Sequence, residues 1–150
     1  MQITIAVASP LSPEGRALAG ESQRFLETVF PPEEIFSFSA EELAAKGTTF
    51  LVASDAGGAL GCVALVEMGD YGEIKRLFVR DRARGLGVAR ALMQALEERA
   101  RAVGLPVLRL ETGPALSAAC ALYRSVGYRE CGPFGGYPDI PSNLFMEKRL

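Results

Sequence analysis

The spacing of apolar and polar positions changes period repeatedly along the chain. Residues 3–9, ITIAVAS, alternate as a strand does. In SPEGRALAGESQRFLETVF, Ser12 is a candidate N-cap, Pro13 takes the first helical position, and Leu18, Ser22, Phe25 and Val29 recur at helical spacing. FPPEE stops that helix, and Ser39 with Glu42 three residues on predicts a capping box for a short helix through Ala45. Residues 48–54 and 59–68 then read as strands around DAGG, whose glycines accept the positive φ of a hairpin turn.

A third strand is predicted over 72–79, GEIKRLFV. Glu73, Lys75 and Leu77 share one of its faces, but Ile74 and Leu77 differ in parity and cannot both be buried by a regular strand. A β-bulge near Lys75–Arg76 resolves the conflict. Over 86–103 the positions Val88, Ala89, Leu92, Leu96, Ala100 and Val103 form one helical face, opposite Arg90, Gln94, Glu97, Glu98 and Arg101. Gly104 ends this helix. A strand at 106–112, an amphipathic helix from Ser117 to Val126 capped by Gly127, and a last strand NLFMEKRL complete the pattern. The order β-α-α-β-β-β-α-β-α-β predicts a single α/β (α+β) domain over residues 1–150 with a mixed sheet.

Composition narrows the chemistry. With 49% hydrophobic and 23% charged residues the chain has a globular balance, and its net charge of −2 gives no basic field for nucleic acid. There is no histidine, which removes Ser-His-Asp and Cys-His nucleophilic systems and imidazole metal sites. The three cysteines, Cys62, Cys120 and Cys131, contain no C-x-x-C pair, so neither a disulfide framework nor a structural metal site is expected. No segment reads as a secretion signal or a membrane span, so the expectation is a cytoplasmic protein without a membrane partner.

The densest signal is RLFVRDRARGLGVARALMQALEERA, where Gly85 and Gly87 stand between a strand and a helix. A dinucleotide fingerprint needs a third glycine where Arg90 stands, and a Walker A loop needs G-K-[ST], which is absent. What remains is a basic glycine loop at a helix N-terminus, suited either to a plain turn or to cradling a bulky anion. RARGLGVA fits [QR]-x-x-G-x-[GA] through Arg82, Gly85 and Gly87, and ALYRSVGY and FMEKRL follow downstream. Together these resemble the GCN5-related N-acetyltransferase (GNAT) superfamily, in its bacterial small-acetyltransferase type, over roughly residues 48–150.

The resemblance implies the GNAT fold, a mainly antiparallel sheet flanked by helices, and acetyl-CoA as co-substrate with no metal. Backbone N–H groups of Arg84, Gly85, Leu86, Gly87, Val88 and Ala89 would hold the pyrophosphate, with Arg82 nearby. Leu77, Phe78 and Val79 would pair with the pantetheine arm, and splaying of this strand from VLRLET would open the thioester slot. Many relatives carry an asparagine before the ALY helix; here Ser117 would take its place. Tyr123 matches the position that protonates the coenzyme sulfur, although its spacing also fits a core aromatic. Glu73 matches a general-base position, with Glu111 on the next strand as a rival. A backbone N–H near Val79 would polarise the carbonyl.

For the acceptor, Phe25, Phe36, Phe38, Phe134 and Tyr137 would wall a pocket and Glu33, Glu34 and Asp139 would attract a cationic amine, unless the aromatics are core and the acids surface. The implied activity is transfer of an acetyl group to a primary amine of a small molecule or peptide. A non-catalytic acyl-CoA sensor and a protein lysine or N-terminal acetyltransferase are the alternatives, and a homodimer is compatible with the family.

Overall fold

The computed structural model describes residues 2–150. Its strands are Thr4–Val7 (β1), Thr48–Asp55 (β2), Gly58–Glu67 (β3), Gly72–Val79 (β4), Val107–Thr112 (β5), Arg129–Glu130 (β6) and Leu144–Arg149 (β7). Its α-helices are Pro13–Glu27 (α1), Ala40–Leu43 (α2), Val88–Ala102 (α3) and Ser117–Ser125 (α4), with 3₁₀ turns at Pro32–Glu34 and Asp81–Ala83. Every predicted element is present; the two-residue β6 is the addition, too short to leave a period in the sequence. The sheet runs β1-β2-β3-β4-β5-β7-β6, and only the β4–β5 pair is parallel. This is the mixed, mainly antiparallel sheet expected.

Local rules explain the helix starts. The Ser12 hydroxyl accepts from Gly15 N at 3.0 Å, and Pro13 opens α1 where a missing N–H costs nothing. Ser39 and Glu42 form the reciprocal capping box at α2.

The sheet buries both faces. On one, Leu51, Val63, Leu65 and Ile74 pack with Leu92, Leu96 and Ala100 of α3 and with Tyr123 of α4. On the other, Phe50, Val52, Cys62 and Ala64 pack with Leu18 of α1 and Leu43 of α2. Alternate residues of β2 thus enter different cores, which is why β2 and β3 read as nearly continuous apolar runs.

Two helical faces depart from expectation. Leu18 and Ser22 are buried, but Phe25 is 38% exposed and Val29 lies beyond the end of α1. The last turn of α1 overhangs a cleft instead of the sheet, and Phe25 packs beneath the Arg84 guanidinium, 5.3 Å away. Glu97, placed by its period on the polar face of α3, is instead 7% exposed. It accepts from Tyr128 Oη at 3.0 Å and from Lys148 Nζ at 2.8 Å, so paired partners from β7 and the chain after α4 make its burial tolerable.

Among the described residues no helix is long and apolar enough to cross a membrane, and no group of three or more His, Cys, Asp or Glu side chains could hold a metal ion.

Candidate active site

β4 and β5 pair only over Gly72–Ile74 and Leu108–Leu110, after which they part. The cause lies within β4. Cys62 pairs with Phe78 and Ala64 with Lys75, so Val63 alone stands opposite both Arg76 and Leu77. Arg76 has φ 57°, the one positive φ outside glycine among the described residues. This is the β-bulge the parity conflict predicted; it bends β4 away from β5 and leaves Lys75 to Val79 without a partner on that side.

The wedge so opened continues into a cleft of about 640 Å³, a size suited to a small-molecule ligand. Leu77, Phe78, Val79, Arg84, Gly85, Gly87, Val88, Ala89 and Ser117 line it, as do Phe25, Phe36, Glu111 and Tyr123.

At one end, Gly85 and Gly87 adopt φ 75° and 81°. A Cβ on either would meet nothing within 4 Å, so backbone conformation and not crowding requires glycine there. The first bond closing α3 is Ala91 N to Gly87 O at 3.0 Å, and the N–H groups from Gly85 to Arg90 donate no hydrogen bond within the protein. The Arg84 N–H bonds Asp81 O at 3.3 Å, so the free run begins and ends one residue later than expected. Six unpaired donors at a helix N-terminus, with Arg84 beside them, suit an anion.

One expected loop contact lies elsewhere: Arg82 points toward the β2–β3 hairpin and pairs with Asp55 at 3.3 Å, outside the cleft wall. Leu86 is 53% exposed and its side chain does not line the cleft, so only its backbone N–H belongs to the free run.

At the other end stand Tyr123 and Glu111. Tyr123 is buried, and its hydroxyl makes no hydrogen bond within the protein. The sealed, unpartnered side-chain oxygens and nitrogens among the described residues reduce to Ser142 Oγ, so the Tyr123 hydroxyl opens on the cleft. Burial raises its pKa above the usual phenol value, with Cys120 and Glu111 adding to the shift. Burial also pushes the Glu111 carboxyl up to about 7, against the pull of Lys75.

Glu73 sits differently. It is buried, accepts from the Tyr137 hydroxyl, ion-pairs with Lys75 at 3.2 Å, and is absent from the cleft wall. Phe134 and Tyr137 are also outside that wall. They pack edge-on to each other at 5.6 Å between centroids, Phe134 against Tyr71 and Tyr137 against Phe36, which alone of this group reaches the cleft. Tyr137 covers the Glu73–Lys75 pair, a burial its position in ECGPFGGYPDIPSN did not reveal. Of the acids expected to draw in a cation, Glu34 lines the cleft and Glu33 and Asp139 do not. Phe38 packs against the α1–α2 core.

The expected residue list also omitted Arg76 and Ser22, which line the cleft and bond one another, Arg76 Nη1 donating to Ser22 Oγ at 3.2 Å. The parity conflict at Arg76 was the available signal.

The chain is similar in sequence and in fold to known proteins. Residues 16–128 match the model of the acetyltransferase (GNAT) family. The chain is 42% identical over 150 residues to an IAA acetyltransferase of Azospirillum brasilense, covering 99% of this chain and 98% of that one. It is 38% identical over 124 residues to an L-methionine sulfoximine/L-methionine sulfone acetyltransferase of Pseudomonas aeruginosa, covering 71% and 68%. The crystal structure of a putative acyl-CoA N-acyltransferase from Klebsiella pneumoniae superposes with a TM-score of 0.83 at 32% identity, over 99% of this chain and 97% of the other.

Proposed function

This chain belongs to the acetyltransferase (GNAT) family, and from that premise we propose that it transfers the acetyl group of acetyl-CoA directly to a primary amine of a small molecule. The observation that carries the reading is one continuous cleft. It starts at six unpaired backbone N–H groups, follows the unpartnered edge of β4, and ends at a free Tyr123 hydroxyl and at Glu111.

The residues present fit the coenzyme. The N–H run from Gly85 to Arg90, with Arg84 and Arg90, would hold the pyrophosphate. The open edge at Leu77, Phe78 and Val79 would accept the pantetheine amides as an added strand, and Ser117 would bond to the arm from α4. Bound there, the coenzyme supplies an activated acetyl thioester.

Glu111 takes the proton that the acceptor's ammonium must lose before its nitrogen attacks. With a pKa of about 7, the carboxyl is matched to that task near neutrality. As the nitrogen–carbon bond forms and the carbon–sulfur bond breaks, Tyr123 donates its proton to the departing thiolate. Glu73 keeps Lys75 neutralised beside the site and touches neither reactant. The Pseudomonas relative, named for acetylating L-methionine sulfoximine, supports a small-molecule acceptor.

The test incubates the protein with acetyl-CoA and a panel of amines, amino acids, polyamines and short peptides, and detects products by mass spectrometry. Acetylated small amines are the expected result. Failure to bind acetyl-CoA would overturn the reading of the loop, and turnover of peptides alone would overturn the acceptor class.

A further inference from the structure

The cations that line the cleft are Lys75, Arg76, Arg84 and Arg90. Three of them are accounted for. Lys75 donates to Phe36 O at 2.8 Å and to the Tyr137 hydroxyl and pairs with Glu73, so its three protons are taken up inside the fold. Arg84 pairs with Asp81 at 3.2 Å, and Arg90 is exposed beside the glycine loop and donates to Ser125 Oγ at 3.0 Å.

Arg76 is different. It is half-buried, and no carboxylate lies within 4 Å of it. Every other unpaired lysine or arginine among the described residues is exposed: Arg24, Lys46, Arg90, Arg99, Arg129 and Arg149. Among the described residues Arg76 is thus the one cation withdrawn from water without an ion-pair partner; Glu27 and Glu42 act on it only from beyond 4 Å, and burial outweighs them and lowers its pKa.

Its neutral contacts fix its position without neutralising it. Nε donates to Phe38 O at 3.1 Å, Nη1 to Ser22 Oγ at 3.2 Å, and Nη2 to Gln23 Oε1 at 2.8 Å. A guanidinium has five N–H donors, so one on each terminal nitrogen remains without a partner in the protein and is available to a carboxylate. The backbone at Arg76 also carries strain, since a left-handed conformation costs a long side chain about 1–2 kcal/mol. That conformation belongs to the bulge that opens the cleft.

We propose that Arg76 is a specificity residue that binds a carboxylate on the acceptor, so that the substrate is a zwitterionic amine of the amino-acid class. The inference rests on the acetyl-transfer reading above and narrows its substrate. Opposite charges in the same cleft complete the match: Glu111 and Glu34 face it without any ion pair of their own and suit the ammonium. Phe25, Leu26, Val29, Phe30, Ile35 and Phe36 line the wall contributed by α1 and the turn after it, which suits an apolar side chain.

The experiment compares matched acceptors with acetyl-CoA at saturation: L-leucine, L-methionine, L-phenylalanine and L-tryptophan against their amides and their decarboxylated amines. The free acids are expected to have kcat/KM higher by about 10- to 100-fold, the worth of hydrogen bonds to a charged group. Arg76→Asn, which tolerates the left-handed backbone while deleting the charge, should erase that preference, so that the free acids are used no better than their amides; a preference for the free acids that survives in the variant would overturn the role of Arg76. Arg76→Lys should restore part of the preference. Should Arg76→Asn fold poorly, the wild-type comparison alone decides. Equal or better use of the decarboxylated amines would overturn the carboxylate site while leaving amine acetylation intact. Absence of acetylation across the whole panel, with acetyl-CoA bound, would overturn the substrate class, and absence of acetyl-CoA binding would overturn the transferase reading beneath it.

Discussion

Lys75 Nζ stands 3.2 Å from Glu73 Oε2, with the two side chains 6% and 3% exposed. The pair is closed over by Tyr137, whose hydroxyl contacts both groups. A carboxylate so enclosed is poorly placed to meet a substrate, whereas Glu111 on the neighbouring strand faces the cleft.

Glu111→Gln should therefore lower kcat/KM by at least about 100-fold, the usual contribution of a general base. The wild-type pH profile should rise through about 7 as Glu111 loses its proton, and that limb should vanish in the variant. Glu73→Gln should retain the limb and reduce stability instead, because it leaves the Lys75 ammonium buried without its anion. Steady-state kinetics from pH 5.5 to 9, with thermal melts of each variant, separates the two carboxylates.

The same group makes a stability prediction. Glu111 titrates near 7 in the folded chain and near its ordinary 4.5 unfolded, so the native state holds the proton more tightly. Its favourable contribution is complete below about 4.5 and is lost as pH rises through about 7. Glu111→Gln, which cannot ionise, should be more stable than wild type at pH 8 by roughly 1–3 kcal/mol and show little gain at pH 4.5. Denaturant melts at the two pH values test this.

Tyr123→Phe removes a hydroxyl that has no partner in the protein. It should cost about 100-fold in kcat with coenzyme affinity unchanged, and the melting temperature should hold or rise slightly. Because burial raises this phenol's pKa above its usual value, no activity loss from its ionisation should appear below pH 10. A loss of coenzyme affinity in place of kcat would assign Tyr123 to binding.

Gly87→Ala places a Cβ in open space but at φ 81°, so its effect should come from backbone strain and not collision. A stability loss of about 1–2 kcal/mol and a CoA affinity weakened by at least tenfold are expected, read by calorimetry and thermal melts.

The element order, the helix caps and the bulge were all legible in the chain before folding was considered. Those features are local: a capping box lies within four residues, and a parity conflict within GEIKRLFV is complete in eight. The glycine loop was legible for the same reason, since Gly85, Gly87 and the start of α3 are neighbours in the chain. Tertiary structure alone decided the rest, because charge and burial depend on partners distant in sequence. Glu97 falls on the polar face of α3 by period, yet Lys148 and Tyr128 come from far along the chain to bury it. Glu73 and Glu111 both look like candidate bases until the loop carrying Tyr137 folds over one of them. Arg76, read in sequence only as the site of a bulge, becomes a half-buried cation without an ion-pair partner once α1 brings Ser22 and Gln23 against it. Hydrophobic periodicity reports which face an element turns inward, and it carries no information about which polar groups meet there.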